Sequence, residues 1–392
     1  MKELLKKIIY KINYSFIMKD IILMESNPDL SDNTYSIFKK LIEYNINSKY
    51  RIIWFVQTDN SSFPKIKNVK YLNIRKHKII KKYYNIIAKY IIDCNNYIKK
   101  LNKKQFRIHL THGEFLKVAI DYASGVGKYD YILQCSDFFE KLVQKYYNAK
   151  KEQLLYFGYP RNDELLKISK EAISFRKSMN FQKIVAWIPT YRNHKLNKND
   201  KTGTYYMNIK FPFGVPSIRN ENELIYLNNL LKEYNIAIFI KLHPAEDVSE
   251  LQKKDFSNIK IIDNIYLEKN NINLYNLLSI CDALITDYSS IYYDFLLTKK
   301  PIGLDISDLE QYKSHIPLFT NNYEEDIAGE YIYNFNDLIS FINNIYNDND
   351  LAYKKRMEQL DIYHKYKDGN SAERLTNFFM DKIGFDKNEK WN

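Results

Sequence analysis

Residues that could bind an anion cluster in the segment CDALITDYSSIYYDFLLTKKPI, in the second half of the chain. The segment predicts a short buried strand, Ala283–Thr286, then a sharp turn and a helix that opens near Ser289. Asp287, Ser289 and Ser290 suit a helix N-terminus, where side-chain oxygens satisfy unpaired backbone N–H groups. Such a start at the carboxyl end of a parallel strand favours anions, so we expect a nucleotide diphosphate here, with Asp294 accepting from ribose hydroxyls. The alternative is a capped helix without a ligand.

A histidine follows another predicted strand, Phe106–Thr111, in the sequence HLTHGEFLK. At the carboxyl edge of a parallel sheet, His112 is well placed as a general base, because its ordinary pKa lies near neutrality. Gly113 permits a tight turn after it, and Lys117 is expected on the following helix. A lone histidine is more often structural, and that alternative stays open.

A second histidine, His243, follows the predicted strand Ile236–Leu242 in the sequence KLHPAED. The proline after it stops the strand and holds the imidazole at the edge of the sheet. There the ring could donate to a phosphate oxygen or to a leaving group. Lys241 either points at the ligand or lays its stem along apolar surface.

Two further segments place arginines just past strand ends. In PTYR, Thr190 supplies a hydroxyl and Arg192 a guanidinium, the group best suited to bidentate phosphate contacts. The alternative for Arg192 is a surface ion pair. In GYPRND, Arg161 has a similar position, although the same residues make an ordinary turn.

The sequence lacks the motifs of several common ligand sites. It has no GxxxxGK[ST], GxGxxG, HExxH, CxxC or GxSxG pattern and no metal-binding DxD pair. The three cysteines, Cys94, Cys135 and Cys281, are far apart, and their odd number suits a reducing compartment. We therefore expect a histidine-assisted transfer without a metal or a cofactor.

Length and composition indicate a folded protein with two domains. The 392 residues allow two domains of about 100–200 residues each. A net charge of +12 is compatible with nucleic acid, a membrane surface or a polyanionic substrate. We discount this charge, because an AT-rich genome alone gives the same richness in Lys, Asn, Ile and Tyr, and no nucleic-acid motif appears. No signal peptide and no apolar run near the roughly 20 residues of a membrane span are predicted.

Predicted strands alternate with predicted helices along the chain, which indicates parallel sheets with ligands at their carboxyl edges. Residues 79–102 are predicted to be one helix. A polar helical segment over residues 163–180 links two α/β halves, which we expect to face each other across a cleft.

Residues 1–19 are predicted to form a basic amphipathic helix, typical of a helix that lies in an anionic membrane interface. The alternative is a first helix packed on its own domain. The apolar arc and the lysines beside it are Leu4, Leu5, Ile8, Ile9, Ile12 and Phe16, and Lys2, Lys6, Lys7 and Lys11.

Five motifs occur in a defined order: HGEFLK, GYPRND, PTYR, KLHP and TDYSSIYYD. Together they resemble the CDP-glycerol glycerophosphotransferase family, whose members build teichoic acids and related capsular polymers. The resemblance covers about residues 21–380 and implies a GT-B fold with two Rossmann-like domains. It implies an acceptor-side domain over residues 1–165, a nucleotide-donor domain over 175–355, and C-terminal helices over 356–392 that pack back on the first domain.

The resemblance also implies roles for single residues. His112 corresponds to the proposed base, His243 to a histidine near the donor phosphates, and Ser289 with Ser290 to a phosphate-binding pair. Asp294 falls where many GT-B enzymes place an acidic residue on the ribose. The sequence departs from the family in the two residues after His-Gly, here Glu-Phe, which leaves the acceptor and the polyol open.

We therefore expect glycerol phosphate, or a related polyol phosphate, to pass from a CDP-linked donor to a lipid-linked or polymeric hydroxyl acceptor, with release of CMP. The alternatives are a sugar transferase or nucleotide-sugar epimerase of the same fold, and a non-catalytic membrane-surface scaffold. The resemblance implies a cytoplasmic protein at the inner face of the cell membrane. The expected donor-binding residues are Thr190, Arg192, Lys241, Thr286, Asp287, Ser289, Ser290 and Asp294, and the expected acceptor-side residues are Gly113, Lys117 and Arg161.

Overall fold

The computed structural model describes residues 18–59, 61–95, 98–117, 129–194, 207–208, 211–242, 256–320 and 322–386. The chain forms two compact units. The first unit contains residues 1–112, 122–163 and 368–392, and the second contains residues 113–121 and 164–367. Two boundaries differ from the expected ones. Residues 113–121 join the second unit, and the chain returns to the first unit at Asp368 instead of residue 356.

A parallel sheet forms the centre of the first unit. The described strands pair in the order β3-β2-β1-β4-β5-β6-β7, and this order reverses between β1 and β4. Strands β1 and β2 are almost continuously buried, as a parallel sheet covered on both faces requires. The seven strands are β1 (Lys19–Glu25), β2 (Arg51–Val56), β3 (Val69–Asn73), β4 (Ala88–Asp93), β5 (Phe106–His109), β6 (Tyr131–Gln134) and β7 (Leu154–Tyr156).

Helices from both ends of the chain cover this sheet. Leu375, Phe379 and Met380 of the C-terminal helix pack in the same apolar core as Ile22 and Trp54 of the sheet. The C-terminal helix is therefore part of the core of the first unit. The helices described in this unit are α1 (Asp32–Glu43), α2 (Lys78–Ile87), α3 (Glu140–Tyr147) and α14 (Ser371–Ile383), with 3₁₀ turns at Ile46–Ser48, Lys151–Gln153 and Pro160–Asn162.

The prediction of one helix over residues 79–102 is wrong beyond Ile87. Helix α2 ends there, and β4 begins at the next residue and pairs with β1 in the middle of the sheet. Its sequence, AKYIID, is an apolar run rich in isoleucine, and burial on both faces removes the alternation that distinguishes a strand from a helix.

The second unit has a parallel sheet of the same design. Its described strands pair in the order β12-β11-β8-β13-β14-β15. Counted from its own first strand, β8, this is the order 3-2-1-4-5-6 of the Rossmann fold, and it reverses between β8 and β13. The strands are β8 (Lys183–Trp187), β11 (Ile236–Ile240), β12 (Ile259–Ile261), β13 (Ala283–Thr286), β14 (Ile302–Asp305) and β15 (Glu330–Ile332), while β9 (Asn193–His194) pairs with β10 (Met207–Asn208) apart from this sheet.

Both units thus confirm the predicted fold class of two Rossmann-like domains. No helix in the described ranges has both the length and the apolar character needed to cross a bilayer. The helices of the second unit are α4 (Asp163–Leu166), α5 (Lys170–Ser178), α6 (Glu221–Glu233), α7 (Asn264–Lys269), α8 (Leu274–Ile280), α9 (Ile291–Leu296), α10 (Leu309–Lys313), α11 (Tyr323–Asp326), α12 (Phe335–Tyr346) and α13 (Tyr353–Tyr363).

Candidate functional site

The two loops at the reversal point of the second sheet are joined by hydrogen bonds. The backbone N–H of Thr190, after β8, donates to both carboxylate oxygens of Asp287, after β13, at 2.9 Å each. The hydroxyl of Thr286 donates to the carbonyl of Ile188 at 2.8 Å. Ligands of Rossmann-like sheets bind outside the carboxyl ends of the strands at this reversal point. Thr190, Thr286 and Asp287 therefore build the floor of a candidate ligand site.

Ser289 and Ser290 lie in the same loop and are half-exposed. Helix α9 begins at Ile291, two residues later than expected, and Ser290 occupies its N-cap position without a side-chain cap bond. The carboxylate of Asp287 binds Thr190 rather than the start of the helix, so the capping predicted for Asp287 is wrong. Among the described residues, neither serine hydroxyl donates a hydrogen bond, and Ser289 Oγ accepts one from the backbone N–H of Ile291 at 3.4 Å.

The structure contradicts the direct phosphate contact predicted for Arg192. Its guanidinium is only 3% exposed and lies between two carboxylates. The Nε and Nη2 atoms donate to Asp308 at 3.0 and 3.1 Å, and Nη1 donates to Asp287 and to the carbonyl of Thr190. These donors all bind acceptors of the protein itself. Arg192 therefore stabilises the loop that carries Thr190 and does not contact a ligand.

The structure also contradicts the ribose contact predicted for Asp294. This residue is 1% exposed, inside α9, and one carboxylate oxygen accepts from the hydroxyl of Tyr275 at 2.6 Å. A buried carboxylate with a hydroxyl partner stabilises the packing of α8 against α9, and it has no surface to offer a ribose.

Lys117 belongs to the second unit and forms an isolated β-bridge, so its expected place on a helix is wrong, while its assignment to the acceptor side stays a prediction. It forms an isolated antiparallel bridge with Leu318, and the carbonyl of Leu116 accepts from the backbone N–H of Phe319 at 3.1 Å. Desolvation lowers the pKa of Lys117 from 10.5 to about 8, with the nearby Asp287 opposing this shift. Unlike Arg192, Lys117 forms no ion pair with any residue that the structure describes.

Another predicted donor residue, Lys241, lies beside the same sheet. Lys241 follows β11 and is half-buried, and desolvation lowers its pKa. Its backbone N–H donates to the carbonyl of Trp187 at 2.9 Å, which fixes the start of the loop beside the reversal point. His243 lies outside the described residues.

In the first unit, His112 is held by its backbone just beyond β5. Thr111 has φ of 52° and Gly113 has φ of 140°, so the expected tight turn at the glycine is confirmed. Positive φ at a β-branched residue is costly and persists only where surrounding contacts impose it, which occurs mainly at functional sites. Here the amide of Asn33 donates to the carbonyl of Thr111 at 3.1 Å.

Arg161 holds the next carbonyl of this turn. Its Nη1 atom donates to the carbonyl of His112 at 3.0 Å and to Asp32 at 2.7 Å. Arg161 is buried in this ion pair and positions His112, and its assignment to the acceptor side stays a prediction.

The protonation state of His112 suits a base. The residue is exposed, but protein atoms crowd its other sides, and this desolvation lowers the pKa of the imidazole below 6.5. Asp32 opposes the shift and Arg161 adds to it. The ring is therefore mainly neutral near pH 7 and can accept a proton.

Sequence reasoning missed a second layer of support beneath this turn. The buried carboxylate of Glu25 accepts from the backbone N–H groups of Cys94 and Asn95 at 3.1 and 2.6 Å. The thiol of Cys94 in turn donates to the carbonyl of Thr111 at 2.7 Å. Desolvation, with Asp93 nearby, raises the pKa of Glu25 from 4.5 to about 8. The sequence feature that could have revealed this support is an acidic residue, Glu25, at the end of the apolar run IILME.

A family model described as CDP-Glycerol:Poly(glycerophosphate) glycerophosphotransferase matches residues 8–381. The teichoic acid glycerol-phosphate primase of Bacillus subtilis (strain 168) is 31% identical over 255 residues, which are 65% of this chain and 58% of the primase. The teichoic acid poly(glycerol phosphate) polymerase of Bacillus spizizenii is 23% identical over 391 residues, which are 90% of this chain and 85% of the polymerase.

A solved structure shares the fold. The wall teichoic acid polymerase TagF has a TM-score of 0.73 at 19% identity, and the match covers 97% of this chain and 93% of the TagF chain. A variant of TagF has also been solved after a soak with CDPG.

Proposed function

Because the chain belongs to the CDP-glycerol:poly(glycerophosphate) glycerophosphotransferase family, we propose that it transfers glycerol phosphate, or a related polyol phosphate, from a CDP-linked donor to a hydroxyl acceptor. The family match over residues 8–381 carries this proposal. The primase matches over only 58% of its own length, so the activity is proposed and not taken over from that relative.

The second unit is the donor side of this proposal. The hydroxyls of Ser289 and Ser290 donate to the donor's phosphate oxygens, and Lys117 adds a positive charge beside them. The bond between Thr190 and Asp287 and the ion pairs of Arg192 keep the loops in place before the donor arrives. Such preorganised donors need no rearrangement as charge develops on the phosphates.

The first unit supplies the base. The imidazole of His112 takes the proton of the acceptor hydroxyl, whose oxygen forms a new bond to the donor's distal phosphorus. The bond from that phosphorus to the bridging oxygen breaks, and CMP leaves with the electron pair. Phosphoryl transfers of this kind need mostly positioning and charge stabilisation from the protein. The acceptor in this proposal is a lipid-linked or polymeric hydroxyl.

Calorimetry with CDP-glycerol and with UDP-sugars tests the donor. We expect saturable binding of CDP-glycerol and of CDP, much weaker binding of UDP-sugars, and CMP release when a hydroxyl acceptor is added. Preference for a UDP-sugar would instead support a glycosyltransferase or an epimerase of the same fold. Absence of binding to every nucleotide would support a non-catalytic scaffold.

Association with the inner face of the cell membrane is a further part of the proposal. It is supported by the pattern of residues 1–19, of which residues 1–17 lie outside the described part of the chain. Co-sedimentation with anionic vesicles, with and without these residues, tests their contribution. Binding that is equal in both proteins would contradict a role for this segment.

A further inference from the structure

One nitrogen atom of Arg161 joins Asp32 to the candidate base, His112. The Nη1 atom donates to Asp32 Oδ1 at 2.7 Å and to the carbonyl of His112 at 3.0 Å. All three residues belong to the first unit. The side chain of Asp32 is only 16% exposed and that of Arg161 is 8% exposed, so solvent screens their charges weakly. A carboxylate therefore lies near the base in surroundings where its charge acts strongly.

The backbone fixes Asp32 in this position. Its φ of 61° is left-handed, a conformation in which aspartate and asparagine are several-fold enriched over other side chains. Asp32 Oδ1 also accepts from the backbone N–H of Asn33 at 2.7 Å. The side-chain amide of Asn33 donates to the carbonyl of Thr111 at 3.1 Å and accepts from the backbone N–H of Arg161 at 3.2 Å. Hydrogen bonds thus connect the turn that carries Asp32 with the turn that carries His112.

The groups around the imidazole of His112 act on it in opposite directions. Desolvation by burial lowers its pKa most, and of the charged groups Asp32 raises the pKa while Arg161 and His109 lower it. A hydrogen bond to the backbone of Cys94 also raises the pKa, so the ring nitrogen in this bond is the donor. The other ring nitrogen, called here the open nitrogen, is the one that accepts a proton in the neutral ring.

We propose that Asp32 is the electrostatic partner of His112 and stabilises the imidazolium that forms when the ring takes the acceptor's proton. The proton passes from the acceptor hydroxyl to the open nitrogen, while the electron pair of the O–H bond stays on the oxygen that attacks phosphorus. Arg161 offsets part of the negative charge of Asp32, which keeps the resting ring mainly neutral. This inference rests on the proposed transfer and adds a positioning residue to it, because Asp32 acts through His112.

Titration of His112 by NMR, in protein labelled with carbon-13 at histidine Cε1, tests the proposal. The chain has seven histidines, and His112→Gln identifies the resonance. Asp32→Asn keeps the Oδ1 acceptor and suits the left-handed backbone, so it removes only the charge. Arg161→Gln removes the opposite charge, and Arg161→Lys retains it. Asp20→Asn, at an exposed carboxylate of the same unit, is the control. Circular dichroism shows whether each variant is folded.

We expect the midpoint of the His112 titration to fall by about 0.5–1 pH unit in Asp32→Asn and to rise by a similar amount in Arg161→Gln. Arg161→Lys and Asp20→Asn should titrate as the parent does. A merely structural role cannot give opposite changes, because loosening of the turn relieves desolvation and raises both midpoints. The acid limb of the pH profile of kcat/KM should move with each midpoint. Turnover of Asp32→Asn should fall about three- to tenfold, with CDP affinity unchanged.

An unchanged midpoint in Asp32→Asn, or midpoints that rise in both charge-removing variants, would overturn the proposal. If Arg161→Gln does not fold, the direction of the change in Asp32→Asn decides alone. Absence of CMP release by the parent with every hydroxyl acceptor would count against the proposed transfer only, since opposite titration changes would still support the action of the carboxylate on the ring.

Discussion

At the scale of single residues, the main feature is that hydrogen bonds to the backbone fix the position of His112. The carbonyls of Thr111 and His112 are held by Asn33, Cys94 and Arg161, while the imidazole keeps its solvent access. A ring that reaches solvent while its backbone is held can exchange a proton with a substrate without losing its position.

Replacement of this imidazole should separate chemistry from donor binding. We expect His112→Ala to lower turnover by about 10²–10⁴-fold, the usual cost of losing a general base, with CDP affinity unchanged. Initial rates of CMP release and CDP calorimetry measure the two effects. His77→Ala, at an exposed histidine of the same unit, is the control and should keep parental rates. Near-parental turnover of the first variant would exclude His112 as the base.

Glu25 should make the stability of the protein depend on pH. Its pKa is raised in the folded protein from 4.5 to about 8, so the folded state binds this proton more tightly than the unfolded state does. Its contribution to stability is therefore complete below about pH 4.5, declines as the pH rises, and is lost through pH 8.

The variant Glu25→Gln stays neutral and should lose this dependence. Between about pH 6 and about pH 9 we expect its free energy of unfolding to fall less than that of the parent, by on the order of 1–2 kcal/mol. Urea unfolding at both pH values measures the difference, with Glu43→Gln as an exposed control. Identical pH dependence in parent and variant would show that Glu25 is ionised when folded.

At the scale of elements, the loop between β13 and α9 owes its shape to long-range contacts and not to the helix after it. Its carboxylate, Asp287, accepts hydrogen bonds from Thr190 and Arg192 and not from the start of the helix. Contacts within the protein thus order the loop, and in the proposed transfer the two serines contribute mainly to affinity.

The double variant Ser289→Ala with Ser290→Ala should weaken donor binding more than it slows bound chemistry. Hydrogen bonds to a charged group are worth about 1.5–3 kcal/mol each, so the loss of two should lower CDP affinity by at least roughly a hundredfold. Calorimetry measures it, with Ser340→Ala on α12 as the control. An unchanged affinity would mean that the loop binds no phosphate.

The start of α14 depends on a residue far away in the sequence. The two carboxylate oxygens of Asp163 accept from the backbone N–H groups of Ser371 and Ala372 at 2.8 Å each. We expect Asp163→Ala to lower the free energy of unfolding by about 1–2 kcal/mol, the usual worth of a helix N-cap. Denaturant unfolding measures this loss. Asp381→Ala, in the exposed last turn of the same helix, should cost nothing, and equal losses would contradict a capping role.

At the scale of the whole molecule, neither unit is one continuous stretch of chain. The first unit takes in residues 368–392, and Leu375 and Phe379 of that stretch are part of its core. The units are therefore linked in folding even though each has its own sheet.

A chain that ends at Lys367 should lose the first unit selectively. Without α14 the apolar face of the first sheet is exposed, so we expect rapid proteolysis within residues 18–163 and slower cleavage within residues 164–367. Limited proteolysis followed by mass spectrometry measures both. A chain that ends at Asp386 keeps α14 and should resist as the full chain does. Equal resistance of both shortened chains would show that the first unit folds without α14.

Local patterns determined much of this protein. Buried runs such as IILME and ALIT, each followed by polar residues, predicted parallel strands and a ligand edge, because strand burial and helix capping depend on near neighbours. The order of five motifs led to the family. The turn at His112 was also predictable, since Gly113 marked it.

Only the tertiary structure decided which polar residues are available to a ligand. Arg192 and Asp308 are 116 positions apart, and Arg161 and Asp32 are 129 apart, so no local pattern reveals that these pairs neutralise each other. The same holds for Asp294, which Tyr275 covers, and for Lys117, which forms a β-bridge with Leu318 instead of lying on a helix. Burying a charged group costs much free energy unless a partner is present. Which residue becomes that partner is determined by the tertiary structure.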